Sequence, residues 1–540
     1  MHLPRVWKLA LACGMALAIS AGCEVGLDYS TPKVRTPSRF GEASASQPAV
    51  LAISHWWRSF NDPELNTLID RAVLNNNTLL EAEMRVREAR AQLGVEWGTE
   101  FPTGSINASA SRKQASDTVN PSSGLGTTSP FGPSIPGSNG EALTHALSSF
   151  SAPRKTELYQ SSFDAGWEID VFGGNRRRIE SANATLEAEI DARQNVLVSL
   201  TAEVALDYVL LRSYQLQLNL TKQNVASEQK TLELTKDRYG AGLVTDLDVA
   251  QAQTSVATTL AQEPLLEIDI KQTIHAISIL LGQEPMALEG ELSVQKACPP
   301  IPSEIPVGMP SDLLRRRPDV RQAERELAAS TANIGVAVSD LFPKISLTGS
   351  FGQQTSRVGL IARDASSIWS IGPTVSWQIL DYNQLQSQVR VANAQQQQAL
   401  YAYRQTVLLS FRDVEDALVA YVQDQIRSRA LNDELVSSQR SFDLATQLYQ
   451  RGLGDFLNVQ TAERGLYTAQ LDLAISQSRV ATDLVQLYKA LGGGWSEEDE
   501  PRFAKIEDPS LSVNVPADPV TIDPKTSKYK SVSGPKSLRH

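Results

Sequence analysis

Three cysteines and five histidines in 540 residues leave little for metal binding or thiol chemistry, and none falls at ligand spacing. No Ser-His-Asp set, phosphate loop or paired-carboxylate site is recognisable, His55, His145 and His275 are scattered, and Gly492-Gly493-Gly494 opens no helix. Neither an enzyme, a cofactor nor a metal is therefore expected. A basic surplus is missing too: 50 Lys and Arg stand against 61 Asp and Glu, a net charge of -11, which argues against a nucleic-acid binder. Beyond residue 23 there is no run of 18 or more apolar residues, so a transmembrane helix is excluded. Any membrane crossing must use β-strands.

At the N-terminus Arg5 and Lys8 precede an apolar run from Leu9 to Ala21, the pattern of an export signal over residues 1–22. Ser20-Ala21-Gly22-Cys23 resembles a bacterial lipoprotein cleavage box, with Ser20 where Leu is usual. The resemblance implies acylation of Cys23, with ordinary signal cleavage nearby as the alternative. Glu24, where an inner-membrane lipoprotein would carry Asp, suits outer-membrane sorting. Cys13 would leave with the signal and Cys23 would be blocked, so Cys298 stands alone and no disulfide is expected.

Sliding the chain against itself by 210 residues superposes Trp167 on Trp377, Val204 on Val414, Tyr239 on Tyr449, Gly242 on Gly452 and Gly282 on Gly492. Upstream the shift becomes 241, where Gly94 meets Gly335 and Phe101-Pro102 meets Phe342-Pro343. The chain is two copies of one unit, and the first copy carries extra residues between 102 and 167. Residues 121–137 hold eight Pro or Gly in seventeen, which predicts a loop there. The expected organisation is an N-terminal segment at 23–60, a first repeat at 61–285, a linker at 286–310, a second repeat at 311–495 and a disordered tail at 496–540.

Long helices follow from what is absent: no Gly or Pro occurs in the 65 residues from Asn175 to Tyr239, nor in the 78 from Thr374 to Arg451. Apolar residues recur every seven, as in Leu197, Val204 and Leu211, in Val407, Val414 and Tyr421, and on the return stretch in Val459, Leu466 and Leu473. Such rows predict coiled-coil packing of neighbouring helices. The expected helices are 63–98, 174–239 and 243–282 in the first copy, and 311–340, 383–451 and 455–491 in the second. Pro264 stands where the second copy has Ala474, so the two hairpins should bend differently. Thr245, Asp246 and Asp455 are placed to cap the returning helices.

Before each long helix the pattern alternates with period two. Phe163, Ala165, Trp167 and Ile169 alternate with Ser162, Asp164, Gly166 and Glu168, and Val375, Trp377 and Ile379 alternate with Thr374, Ser376 and Gln378. Partner strands begin near Phe101 and Phe342, giving strands at about 101–112, 160–172, 342–353 and 369–381. Lipid on one side and water on the other would produce this alternation, and so would a half-buried soluble sheet. In lipid, four strands cannot close alone, so two copies would make eight strands and three would make twelve. Phe101, Phe172, Phe342 and Tyr382 fall where strands meet helices, the place for a membrane-rim girdle or for packing at that joint.

These segments together resemble the TolC-type outer-membrane efflux ducts, in the lipoprotein branch that serves tripartite RND pumps. The resemblance is carried by Val25-Gly26-Leu27-Asp28-Tyr29, Trp56-Trp57 with Asp62-Pro63-Glu64-Leu65, and Trp167 through Gly173. Arg315-Arg316-Arg317-Pro318-Asp319 and Ala490-Leu491-Gly492-Gly493-Gly494-Trp495 complete it. The fold it implies is mainly α with a small transmembrane β part: a homotrimer whose 12-stranded β-barrel continues into a 12-helix α-barrel. Its partners would be a periplasmic membrane-fusion adaptor, an inner-membrane RND pump and outer-membrane lipid, with the duct conducting small molecules passively. By position, the family's periplasmic gate maps to Leu457, Thr461 and Arg464, whose alternative role is ordinary coiled-coil contact. Thr461 stands where related ducts often carry Asp. The adaptor-docking tips map to Tyr239, Gly242, Leu243 and Asp246, and to Tyr449, Gly452, Leu453 and Asp455. The rival readings are a duct for protein secretion, a non-conducting periplasm-spanning coiled coil, and a secreted enzyme on a helical scaffold.

Overall fold

The computed structural model describes residues 24–37, 39–41, 53–114, 155–300, 314–361 and 363–496. The export signal with Cys23, the Pro- and Gly-rich stretch at 121–137 and the tail from 497 onward lie outside the described residues. Helices α1 (Pro63–Asn75) and α2 (Asn77–Gly98) lead into strands β1 (Thr103–Gln114) and β2 (Lys155–Ile169). Then come α3 (Gly174–Gly240), α4 (Asp246–Leu260), α5 (Glu263–Leu280), α6 (Pro318–Ser339), β3 (Lys344–Thr355), β4 (Ser367–Ser376), α7 (Tyr382–Gln450) and α8 (Phe456–Ala490). Each copy is thus helix, two strands, one very long helix and its return.

The duplication repeats in three dimensions down to single hydrogen bonds. The Trp167 indole donates to the Glu100 carbonyl at 2.9 Å, and Trp377 donates to the equivalent Leu341 carbonyl at 3.1 Å. Both long helices end on a glycine with positive φ, Gly242 at 73° and Gly452 at 75°, and in both the next amide returns to a carbonyl five residues back. At 67 and 69 residues, α3 and α7 each extend about 100 Å. The heptad rows are the core: Leu197, Val204, Leu211, Val407, Val414 and the whole row from Val459 to Leu487 are buried.

Several boundaries differ from the pattern in the sequence, each for a local reason. The expected helix 63–98 breaks at Asn76, which is extended and caps α2 by accepting from the Leu79 amide while donating to the Leu280 carbonyl. The expected helix 243–282 is two helices, because Pro264 has no amide to offer and sits at the start of α5, whereas α8 runs unbroken for 35 residues. Thr245 and Asp248 form a reciprocal capping box that starts α4, while Asp455 makes no side-chain cap. The expected helix 311–340 starts in earnest at Pro318, with one short turn at 314–316 before it. The linker holds a short helix, Glu289–Leu292. The strands expected to reach 172 and 381 stop at Ile169 and Ser376, where Val171 and Ile379 turn back onto carbonyls two residues earlier.

Away from the strands, the main core surrounds a stacked pair, Trp56 on Tyr488, with ring centroids 5.1 Å apart. Within it Arg212 is fully buried and bonds Glu64 at 2.5 Å, Gln215 at 2.7 Å and the Val294 carbonyl at 2.8 Å. The Tyr208 hydroxyl donates to Asp62 and lies 3.0 Å from Glu64, and Lys296 reaches Glu64 at 2.9 Å. This network pins α1 and the inter-repeat linker to the middle of α3. Arg317, tempting as an anion site, is consumed by Asp319, Asp413 and the Ala490 carbonyl and is structural. Replacing Arg212 by Met leaves Glu64 with the Tyr208 hydroxyl and, as its one cation among the described residues, the half-exposed Lys296. The expected cost is roughly 3 kcal/mol, read as a lower denaturation midpoint of the helical circular-dichroism signal; an unchanged midpoint would show that the network carries no stability.

Candidate functional site

The four strands form one antiparallel sheet in the order β1-β2-β3-β4, so the two copies meet at the β2–β3 pairing. Register places Ile106, Phe163, Phe351 and Trp369 in one row across all four strands. Ala165 and Ile371 and then Trp167 and Leu347 continue the same face towards the helices, and polar residues return to it only away from them, first at Ser161, Gln353 and Ser367 and then at Arg112 and Glu157. The opposite face carries Ser105, Asn107, Ser162, Asp164, Glu168, Thr348, Ser350 and Thr374. No described element covers the apolar face: Ile106 is 81% exposed, Trp369 74% and Ile371 71%. A half-buried soluble sheet would hide that face. This one shows it, and its polar groups satisfy one another on the other side, where Asn107 and Ser162 donate to Asp164 at 2.8 and 2.9 Å.

At the joint between sheet and helices, Phe172 stacks on Phe342 with centroids 4.7 Å apart. Their counterparts by repeat, Tyr382 and Phe101, have no such stacking partner among the described residues and are exposed. An extended strap, residues 24–37 with 39–41, begins at this joint. Val25 donates to the Phe172 carbonyl, and the buried Arg177 bonds the Val25 carbonyl, Asp28 and Glu180. The strap then passes Glu324, which accepts from Tyr29 and Thr31, and reaches Gly41, whose amide donates to Glu415. Glu415 lies 33 residues into α7, about 50 Å from the joint, so the strap runs almost fully extended.

At the far end of the helices the two tips differ. Tyr239, Leu243 and Leu453 are exposed, as are Gly242, Asp246, Gly452 and Asp455. Tyr449 departs from its expected docking role: it is 1% exposed against 48% for Tyr239. The Arg238 guanidinium lies over the Tyr449 ring at 4.4 Å and bonds its carbonyl, and Phe456 packs against its edge. It is a packing residue that joins the two tips. On α8, Leu457, Thr461 and Arg464 form one stripe that projects from the chain, with Leu457 61% exposed. Phe456, Val459, Glu463 and Leu466 occupy the buried side. The Thr461 hydroxyl is spent on the Leu457 carbonyl at 2.7 Å. Sequence reasoning missed the strap contacts of Arg177, the Arg238–Tyr449 latch, and two buried glutamates, Glu228 and Glu463.

Residues 68–283 and 309–493, one segment per repeat, match the outer membrane efflux protein family. The chain belongs to that family. It is similar to the solvent efflux pump outer membrane protein SrpC of Pseudomonas putida, with 31% identity over 89% of this chain and 97% of that one. Among solved structures it resembles the outer-membrane channel OprN, with 34% identity, a TM-score of 0.78, and coverage of 88% of this chain and all of that one. The open-state channel MtrE of Neisseria gonorrhoeae follows at 25% identity and a TM-score of 0.73, covering 88% and 99%. The protein is an outer-membrane efflux channel, mainly helical with a small antiparallel sheet, as the resemblance in its sequence implied. No helix among the described residues is long and apolar enough to cross a membrane, and the bare sheet is the element suited to lipid.

The strap imposes a sharp test of its own geometry. Gly26 has φ of 105°, and a Cβ there would lie 2.6 Å from the Gly335 backbone on α6. Gly26→Ala should lift the strap from the helices and speed limited proteolysis within residues 24–41, while the helical circular-dichroism signal stays unchanged; protection equal to the native chain would show the contact to be slack.

Proposed function

We propose that the chain is one third of a homotrimeric duct, closed as a twelve-stranded barrel in the outer membrane and continued by a twelve-helix tunnel through the periplasm. The carrying observation is the four-stranded sheet with a bare apolar face and two unpaired edges, β1 and β4. In hydrocarbon those edges must find strands, and the chain contributes one of each kind, so copies join head to tail into a ring. An eight-stranded ring would be nearly filled by its own side chains, whereas twelve strands leave a lumen, lined here by the Ser, Thr, Asn and acidic face.

The repeat also supplies the register of that closure. Within the chain Ala165 pairs with Gly349. Moved by the two repeat shifts, the same pairing sets Val375 of one copy against Ala108 of the next, and sets Tyr382 beside Phe101 as Phe172 lies beside Phe342. The four aromatics then form both the joint and the rim. Glu24 packs against Gly173 at that joint, so an acylated Cys23, one residue earlier, would enter the lipid at the rim. Around the tunnel, the exposed apolar stripe of α7, including Tyr401, Leu408, Val419 and Ile426, faces the neighbour's α4–α5 surface with Leu260, Leu265 and Ile268.

The exposed tips, Tyr239 to Asp246 and Gly452 to Asp455, dock a periplasmic adaptor, which links the duct to an inner-membrane RND pump. That pump supplies the energy, and the duct conducts small molecules passively. Leu457, Thr461 and Arg464 project together from α8 near its tip and form the resting constriction, with Leu457 its apolar ring.

In a Cys298→Ser background, Ala108→Cys combined with Val375→Cys should give a disulfide-linked trimer on non-reducing gels, and each single variant none. A purely monomeric product would sink the ring. Leu457→Ser should raise the single-channel conductance of the purified protein in a planar bilayer; conductance equal to the native protein would count against the assigned constriction.

A further inference from the structure

Two carboxylates lie where the first hairpin meets the second. Glu228, on α3, is 7% exposed, and Glu463, on α8, is 5% exposed. Neither has a salt-bridge partner among the described residues. Glu463 accepts from Ser227 at 2.6 Å and lies 3.5 Å from the Thr231 hydroxyl, both on α3. Glu228 accepts from Thr259 on α4 at 3.0 Å and from Asn224 at 3.3 Å, and its second oxygen is buried with no partner. The groups around the pair come from every helix packed there. From α3 come Ser227, Thr231 and Asn224, from α4 Thr259, and from α8 Arg464 and Tyr467, whose hydroxyl meets Thr221 at 3.0 Å. Among the described residues, Arg464 is the cation whose field lowers Glu228, and Glu228 itself raises Glu463.

We infer that Glu228 and Glu463 are a proton-operated clasp between the two hairpins, tight when the carboxyls are protonated and loosened when they ionise. Protonated, each carboxyl is neutral and can pair with the surrounding hydroxyls. Ionised, the two charges repel across a dry contact with little to compensate them. Burial is the larger cause that holds both groups above the ordinary glutamate value of 4.5. The packed helices therefore hold protons that separated helices release. The contact is at full strength below that ordinary value and weakens as pH rises through the raised values. Glu463 lies one residue from Arg464 and two from Thr461, on the opposite side of α8. The clasp thus fixes the inner face of the helix whose outer face carries the constriction, and its effect on conduction rests on that assignment.

The test separates clasp from constriction. Spin labels on Lys230→Cys of α3 and Thr468→Cys of α8, both exposed sites, report the hairpin separation in the full-length Cys298→Ser protein. Raising the pH from about 5 to about 8 should shift the ratio of separated to packed hairpins roughly tenfold for each unit by which a carboxyl is raised. In Glu228→Gln with Glu463→Gln, amides replace the protonated groups, and the short distance should persist at every pH. The single variant Glu463→Gln should show an intermediate response and guards against a double variant that fails to fold. Conductance of the native channel should rise over the same interval. Separation that responds to pH while conductance does not would uphold the clasp and count against the constriction alone. A separation insensitive to pH in the native chain, or a full response kept by the double variant, overturns the proposal.

Discussion

Backbone amides and carbonyls in hydrocarbon have no water to turn to, and most other features of this chain answer to that constraint. The apolar row from Ile106 to Trp369 suits lipid, but the strands that carry it also present two open edges. A helix satisfies its own backbone; a four-stranded sheet does not. The described sheet is therefore incomplete by itself in lipid, and in the proposed ring its completion would carry the helices round as well, since each long helix grows directly out of a strand. Only three residues separate Ile169 from Gly173, the cap of α3, and a similarly short turn joins Ser376 to α7. Strand tilt and helix direction are thus set together, and the stacked Phe172 and Phe342 hold the angle at the joint.

Duplication lets one chain present complementary edges, yet the copies have diverged where their neighbours differ. Pro264 breaks the first return helix, and α8 stays continuous. Tyr239 is open to solvent, whereas Tyr449 is sealed under Arg238. The tips differ in this way, whereas at the base of the sheet Trp167 and Trp377 make the same bond. A barrel wall requires equivalent strands. A bundle whose two hairpins take different neighbours does not require equivalent helices.

Much of this was legible in the sequence because period is a physical quantity. Seven-residue rows gave the buried seams, two-residue alternation gave the faces of the sheet, and the self-match gave the repeat. Whether either face stays uncovered by the rest of the chain was not legible, since alternation records polarity and not what lies opposite; the bare exposure of Trp369 and Ile371 is what favours lipid on that side. Helix ends were legible where glycine takes positive φ, as at Gly242 and Gly452, and illegible at Asn76, whose break depends on a carbonyl 204 residues away. The burial of Tyr449 was hidden for the same reason, because Arg238 reaches it from the other hairpin.

Glu463 was within reach of pattern reasoning: it falls four residues after Val459 and three before Leu466, a core position of the heptad, and Glu228 stands three after the buried Val225. An apolar side chain at either place would pack the seam more cheaply, since burying a carboxylate without a cation is costly. The surroundings are built for two states of that group. Ser227, Thr231 and Thr259 carry hydroxyls, which donate to an ionised carboxylate and accept from a neutral one, so neither state is left wholly unpartnered. A lysine or arginine aimed into the seam would have fixed one state and rigidified the contact. Hydroxyls leave the balance to the proton, and a seam that must both hold and yield is better served by that choice.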